Sequence, residues 1–457
     1  MSNHWTVILD FLYLSLFIFL AIFIKQKFKI FNKFLLPTSF VAGFIGLILG
    51  PEILNLTPFN PKNLETLVYH LMSIGFIALA LKERNPGKQS NSSFNTGITI
   101  VSTYLIQGIV GFGITLIFLY TIFPDIFPTF GLLLPLGFGQ GPGVAFSIGD
   151  QWVSSGFSDG GQVGLAFSTI GFLWASIGGV IILNYLVRQK KMKHETLEND
   201  VIQEIIKEES DPGDIPLSTG LDKITVQICL IGIVYLTAYL TLVGLDSLLK
   251  NLGTYGETLM SMLWGFQFLF GTVYAIILRL IFDYLKKKEI IIQNYPNNYL
   301  LQRISGASFD YMIAASVAAL SIVVIKTNLL PLFIITLTGG LVTFGFIYYL
   351  SKRIFKVHTL EYILALYGML TGTLSTGLAL LREVDPEFNS QVAENLVFGS
   401  AIGLFFGLPL MLILGIPVVG YVDNNPIMYV YTLLALVVYL LFLYISYKVK
   451  NRKTVKN

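Results

Sequence analysis

Charge is what this chain has least of. Lys, Arg, Asp and Glu make up 12% of its 457 residues, about half the share of a soluble domain. The charges gather between long apolar runs. With 54% hydrophobic residues and a mean hydropathy of +0.71, the composition excludes a soluble globular fold and leaves an all-α polytopic membrane protein. Cysteine is nearly absent. The single Cys229 excludes an internal disulfide and a thiolate metal site, and reads as a small apolar residue in a span. Of four histidines, His4, His194 and His358 read as loop residues. His70 falls within a span, where a helix-to-helix hydrogen bond is its expected role. There is no G-x-x-x-x-G-K-[ST], no H-E-x-x-H and no G-x-S-x-G; "TLSTG" lacks the first glycine. ATP drive, zinc proteolysis and serine hydrolysis are therefore unsupported, and no enzyme and no nucleic-acid partner is expected.

What is present is a series of apolar runs of membrane-crossing length. About 20 apolar residues cross a bilayer, and eleven runs qualify: roughly 6–25, 35–50, 66–82, 96–121, 161–187, 223–245, 258–284, 307–325, 329–351, 392–415 and 427–447. The first is too long for the core of a signal peptide and reads as a retained span. Two further stretches, 130–150 and 360–383, are apolar but interrupted by Gly, Ser, Thr or Pro. An N-terminus outside, with both interrupted stretches entering and leaving on one side, leaves only Lys62, Lys250 and Lys326 outside. The other 27 of 30 basic residues fall inside, as does the C-terminus, which is what the positive-inside rule asks of a multi-pass protein in the cell membrane. A full span at either interrupted stretch would put the following loops on the wrong side, so both are expected to be re-entrant.

The same map shows a repeat. Residues 1–188 carry five spans and the re-entrant stretch 130–150. Residues 223–415 carry the same pattern, starting from the other side, with the stretch 360–383. The polar segment 189–222 joins them on the inside, and 416–457 adds one more span and a basic tail. Two inverted-topology repeats, each with a broken hairpin, are a signature of secondary transporters.

Chemistry is expected at the breaks, because unpaired backbone survives at membrane depth only inside protein or beside a watery cavity. In "GFGQGPGVAFSIGD", Gly137, Gly139, Gly141 and Gly143 allow a tight reversal, and Pro142 suits the first turn of a helix. The helix N-terminus would then face an anion at mid-membrane, with Gln140 and Ser147 adding side-chain bonds. In "YGMLTGTLSTGLALLREVDPEF", Thr371, Gly372, Thr373, Ser375, Thr376 and Gly377 cluster at the break. Thr373 is the expected N-cap of a helix that Asp385-Pro386 stops. Hydroxyls and freed carbonyls are hard ligands suited to Na⁺ or to a substrate ammonium. Packing is the competing role for each small residue taken singly. Among the flanking charges, Asp150, Asp159, Glu361, Glu383 and Asp385 read as solvated anchors. Arg382 is a candidate partner for a substrate carboxylate. Asp310 is a candidate ligand, with Thr373 and Ser375, for a cation.

With those residues in view, the chain resembles the sodium/glutamate symporter family. The resemblance covers nearly the whole length and is most specific in "GMLTGTLSTGLALLREVDPEF" and the following "NLVFGSAIGLFFGLPLM". It implies Na⁺-driven uptake of L-glutamate or a related small carboxylate by a homodimer in the lipid bilayer. It also implies an elevator-like motion of the domain that carries both loops. The family's loop motifs fall on Gly137, Gly139, Gln140, Gly141 and Gly143, and on Gly368, Thr371, Gly372, Thr373, Ser375, Thr376 and Gly377. Better-known members carry Gly-Gly-x-Gly, often with His, where this chain has "GFGQGPG", so another amino acid stays open as substrate. Proton coupling and, from a different class, a channel without coupled transport are the alternatives.

Overall fold

The computed structural model describes residues 5–82, 91–190, 223–249, 254–290, 296–386 and 388–454. The segment 189–222 lies outside the described residues from position 191 onward. The chain opens with α1 (Thr6–Lys27), α2 (Lys29–Lys33) and α3 (Thr38–Leu49), then α4 (Pro61–Ala80) and α5 (Asn91–Thr121). The first interrupted stretch begins as a 3₁₀ turn at Phe130–Leu132, passes through α6 (Leu133–Pro135) and loosens into a π turn at Leu136–Gln140. After Gly141 it resumes as α7 (Pro142–Gln151). Helices α8 (Gly160–Leu173) and α9 (Gly179–Lys190) run on through a π turn at Trp174–Gly178.

Beyond the connecting segment come α10 (Lys223–Leu249), α11 (Thr254–Gly265), α12 (Gln267–Lys287), α13 (Asn298–Ala318), α14 (Ile322–Thr327) and α15 (Leu329–Ile354). The second interrupted stretch forms α16 (Thr359–Thr371) and α17 (Leu374–Arg382). Helices α18 (Val392–Ile413), α19 (Ile416–Val422) and α20 (Ile427–Thr454) end the described chain. Asn60, with Pro61 behind it, caps α4 by accepting from the Lys62 N–H, and Asn297 caps α13 by accepting from Leu300, as short polar side chains do at helix starts.

Among the described residues nine helices are long and apolar enough to cross a membrane, and they mark a multi-pass membrane protein. They account for nine of the eleven expected spans. The other two need correction. The expected span 35–50 is α3, twelve residues long and so about 18 Å, which is short of a bilayer core. Pro37 sets its start, and Gly50-Pro51 ends it by barring helical backbone before the proline. The expected span 307–325 begins nine residues earlier, at the Asn297 cap, and stops at Ala318. Its first half, "NYLLQRISGASFD", is too polar for the apolarity of the nine. A third expectation, 258–284, is split at Phe266 between α11 and α12. Ser147 on α7 donates its hydroxyl to the freed carbonyl of Gly265, 2.9 Å away, so a neighbouring helix satisfies the break.

Helix α5 is the hub. Of its most apolar window 61% is buried, against 22% for α1 and for α20, whose outer faces carry exposed residues such as Phe19 and Val438. Close approach is built on small residues. A Cβ on Gly131 would lie 2.0 Å from the Gly111 carbonyl oxygen, and one on Gly111 2.1 Å from that of Gly131. Helix α18 meets α5 in the same way, through Gly399 and Thr96. A second group joins α3 to α13, where a Cβ on Gly43 would lie 2.6 Å from Val317 Cβ. Gly131→Val should therefore lower stability by about 3 kcal/mol, because the obstacle is backbone. Gly113→Val, where nothing lies within 4 Å, should leave it nearly unchanged. Thermal unfolding of the two variants in detergent checks the contrast.

Candidate functional site: where two broken helices meet

The two interrupted stretches approach α5 from its opposite ends. Phe127, just before the first, stacks on Phe157, just after it, at 4.8 Å. The segment then runs along α5 from Gly131 beside Gly111 and Thr115 to Gly139 beside Tyr104. At the other end of α5, Ser93 donates to Asn395 Oδ1, 2.8 Å away. The Nδ2 of Asn395 donates to the Tyr362 hydroxyl at 2.8 Å. Asn395 follows the second stretch and Tyr362 lies near its start, so this stretch also starts and ends at one end. Helices α16 and α17 fold onto each other: a Cβ on Gly377 would lie 2.5 Å from the Ala365 carbonyl oxygen.

The breaks come together at the middle of α5. Tyr104 donates its hydroxyl to the Gly139 carbonyl (3.0 Å), and Gln107, one turn on, donates its Nε2 to the Leu370 carbonyl (2.9 Å) and to Thr343 Oγ1 (2.9 Å). Gly171, in the last turn of α8, touches both breaks. A Cβ there would lie 2.5 Å from the Thr371 carbonyl oxygen and 3.0 Å from the Phe138 ring. The π turn at Trp174–Gly178 follows, and Ala175 packs on Gly372. Such turns free backbone groups and recur at functional sites.

Unpaired buried polar atoms mark the same place. Gln140 Nε2, Gln107 Oε1, Ser176 Oγ and the Tyr367 hydroxyl have no hydrogen-bond partner within the structure, and the Thr373 oxygen faces only the Thr376 N–H of its capping box. Gln107 is 1% exposed. A buried polar group left unsatisfied costs about 1–3 kcal/mol, so several at one junction need an account.

The residues singled out from sequence divide into two sets. Gly137 packs on Phe167, Gly139 on the Tyr104 ring, and Gly143 on Met72 and Met312. Gly368, Gly372 and Gly377 likewise lie against neighbouring atoms. These are positions of close approach. Gly141 alone among them faces open space, with nothing within 4 Å of its missing Cβ. Its φ of 89° and ψ of 177° belong to a region that is essentially glycine-only. The Thr371 hydroxyl donates to Tyr367 O, 2.7 Å away. The Thr376 hydroxyl accepts from the Thr373 N–H and sits 2.7 Å from Gly368 O. Ser147 is spent on Gly265. Gln140 keeps an unpaired atom at the junction, Thr373 is the N-cap of α17 as expected, in a capping box with Thr376, and Ser375 is exposed beside it.

Arg382 closes the last turn of α17, about 12 Å along the helix from Leu374 and so at the end remote from the break. Asp310 is exposed on α13, which packs on α3, α4 and, through Met312, on α7, whereas Thr373 and Ser375 begin α17, which packs on α16. Asp385 accepts from Asn389 and Ser390 in the turn before α18. His70 bonds the Tyr235 hydroxyl at 2.7 Å, tying α4 to α10.

Tyr104, Gln107 and the π turn were not singled out from sequence. One signal was present: Gln107 in "TYLIQGIVGFG" is an amide in the middle of a long span, and polar residues at that depth mark functional or packing sites. A cavity of 520 Å³ lies elsewhere, lined by Asp150, Gln151, Ser154, Asp246, Met260 and Trp264. It opens at the C-terminal end of α7, away from Gly141.

No protein-family model, no curated protein and no solved structure matches the chain. The chemistry of the junction must therefore be argued from its own atoms. Replacing Gln107 by Leu removes two buried hydrogen bonds and should lower stability by about 2 kcal/mol, whereas Tyr104→Phe, which removes one, should lower it by about 1 kcal/mol. Melting temperatures of the purified variants measure the ratio.

Proposed function

We propose that the protein is a cation-coupled secondary transporter whose substrate site is the junction of the two breaks. The observation that carries this reading is the convergence of two broken helices, approached from opposite ends of α5, on two side chains one turn apart. In this reading the two halves are inverted repeats and both interrupted stretches are re-entrant. The N-terminus then lies outside, and alternating access moves the loop-bearing part past the rest. Broken helices at membrane depth serve where backbone groups line a cavity, and the unpaired Gln140 and Gln107 atoms, with the Thr373 hydroxyl proton, are the groups a ligand would complete.

The resemblance to the sodium/glutamate symporters supplies the remaining terms: Na⁺ as coupling ion, glutamate or a related small carboxylate as substrate, a homodimer as assembly. Thr373 and Ser375 stay in the proposal as oxygen ligands for Na⁺; Asp310 and Arg382 do not. Proton coupling has one observation in its favour. Glu65 lies within α4 and accepts from Gln162 Nε2, 2.6 Å away. Gln162 also bonds the Ala319 carbonyl and the Ser321 N–H, so a carboxyl group in the second turn of α4 is joined through Gln162 to α8 and to the turn between α13 and α14.

Uptake into proteoliposomes tests the proposal. An inward Na⁺ gradient should drive labelled small carboxylates above equilibrium, and K⁺ alone should not. Counterflow should persist without a gradient, which a pore cannot produce. Gly141→Ala, strained by about 1–3 kcal/mol at its φ, should lower the rate at least tenfold with the protein still folded. Accumulation driven by a proton gradient and indifferent to Na⁺ would replace the coupling ion and leave the site.

A further inference from the structure

Resting on that reading, we infer that the junction is built for a neutral zwitterion, a small α-amino acid with an uncharged side chain, and not for a dicarboxylate. The junction lacks ionised side chains. The segments that build it, 100–118, 132–149, 163–187, 329–351 and 362–381, contain no Lys, Arg, Asp or Glu. Arg382 is the nearest basic residue in sequence to the second break, and it sits at the far end of α17. Among the described residues the buried charged side chains are Asp10 and Arg279. Asp10 accepts from Asn60 and Asn63 at the start of α4, and Arg279 pairs with Asp283 at 3.0 Å on α12.

What the junction offers instead is mostly donors. Helices α7, of ten residues, and α17, of nine, both begin at the breaks, so two helix N-termini point into it. Each carries roughly half a positive charge. Part of the opposing partial charge, on the carbonyl ends of the preceding half-helices, is already engaged: Gly139 O by Tyr104, Leu370 O by Gln107, and Gly368 O by Gly372 and Thr376. The remaining field matches about one negative charge. Gln140 Nε2 is an unpaired donor for one carboxylate, and the Thr373 hydroxyl, whose oxygen faces the Thr376 N–H in the capping box of α17, has its proton left to donate.

An acceptor is also present. Gln107 Oε1 is buried and unpaired, while its own Nε2 holds the second break. An amide oxygen fixed in this way takes an ammonium N–H. One carboxylate and one ammonium are thus provided for, and a second carboxylate is not. A second buried carboxylate would have no basic side chain and no unpaired donor, only a Na⁺ shared with the first, and would pay a desolvation penalty that this one ion and dipoles already matched to another anion do not offset. Space is available at Gly141, where nothing lies within 4 Å of the missing Cβ.

The test uses the full chain in proteoliposomes under an inward Na⁺ gradient, with labelled L-alanine, L-serine, L-glutamate and L-aspartate at equal concentration. The expected result is Na⁺-dependent accumulation of alanine or serine at a rate at least tenfold above glutamate and aspartate. Gln107→Leu should remove it while uptake of the acidic pair stays at background. Accumulation of glutamate or aspartate equal to or above the neutral pair overturns the inference and leaves the transport proposal standing. L-Lactate is a further arm. Transport of lactate as fast as alanine, unchanged in Gln107→Leu, would show that the amide oxygen reads no ammonium, and would overturn the zwitterion assignment. No gradient-driven accumulation of any of the five, by protein that melts cooperatively, overturns the transport proposal and this inference with it.

Discussion

Everything at the centre of this protein depends on how two interrupted helices keep their backbone satisfied away from water. A break frees carbonyls at the end of one half-helix and N–H groups at the start of the next, and lipid supplies no partner for either. Here α5 supplies one half of the remedy. Tyr104 and Gln107, on one face and one turn apart, donate to a carbonyl of each break. The remedy is asymmetric: at the breaks α5 donates to carbonyls only, so the N-terminus of α17 depends on its own Thr373–Thr376 capping box and that of α7 has no side-chain cap. The position of α5 follows from the same need. To serve both breaks it must be central, and its neighbours must come close, which is why its contacts with Phe130–Gln140 and α18 are lined with glycine.

Sequence made much of this legible, for reasons that can be named. Long apolar runs register directly in composition, so helices such as α10, α15 and α20 are found within a few residues. The breaks register because Gly, Pro and Thr clusters are out of place in an apolar run. Local length and capping were harder to read. Helix α3 looks like a span until Pro37 and Pro51 are weighed as its limits. The start of α13 is set by the Asn297 cap inside a polar stretch with no apolar signal. The break at Phe266 has no composition of its own. It persists because Ser147, more than a hundred residues earlier, bonds the Gly265 carbonyl, and no local window contains that information.

The glycines carry a sharper lesson. Read in sequence, Gly137, Gly139, Gly141 and Gly143 are equivalent members of one motif. In the fold, three of them bring other elements close and only Gly141 opens onto space. Pattern gives the spacing of a glycine-rich break but not which side of the backbone faces a neighbour, because that is settled by Tyr104, Phe167, Met72 and Met312. Arg382 shows the same limit: nine residues along a helix separate it from the break it was expected to serve. A motif of this kind therefore encodes how closely helices pack more than what they bind, and a resemblance carried by it speaks more strongly to fold than to substrate.

The electrostatic consequence follows from helix direction. Two complete antiparallel helices present opposite dipole ends to each side of the membrane and nearly nothing to its middle. Two broken ones, approached from opposite sides, bring both N-termini to the middle. A positive region can then exist at depth without an ionised side chain, avoiding the large desolvation penalty that a buried Lys or Arg would carry. That region is also bounded: it comes from oriented peptide groups fixed by α5 and cannot grow by protonation. Gln107, Gln140, Ser176 and Thr373 beside it are all uncharged, so the charge of the region is set by the fold itself.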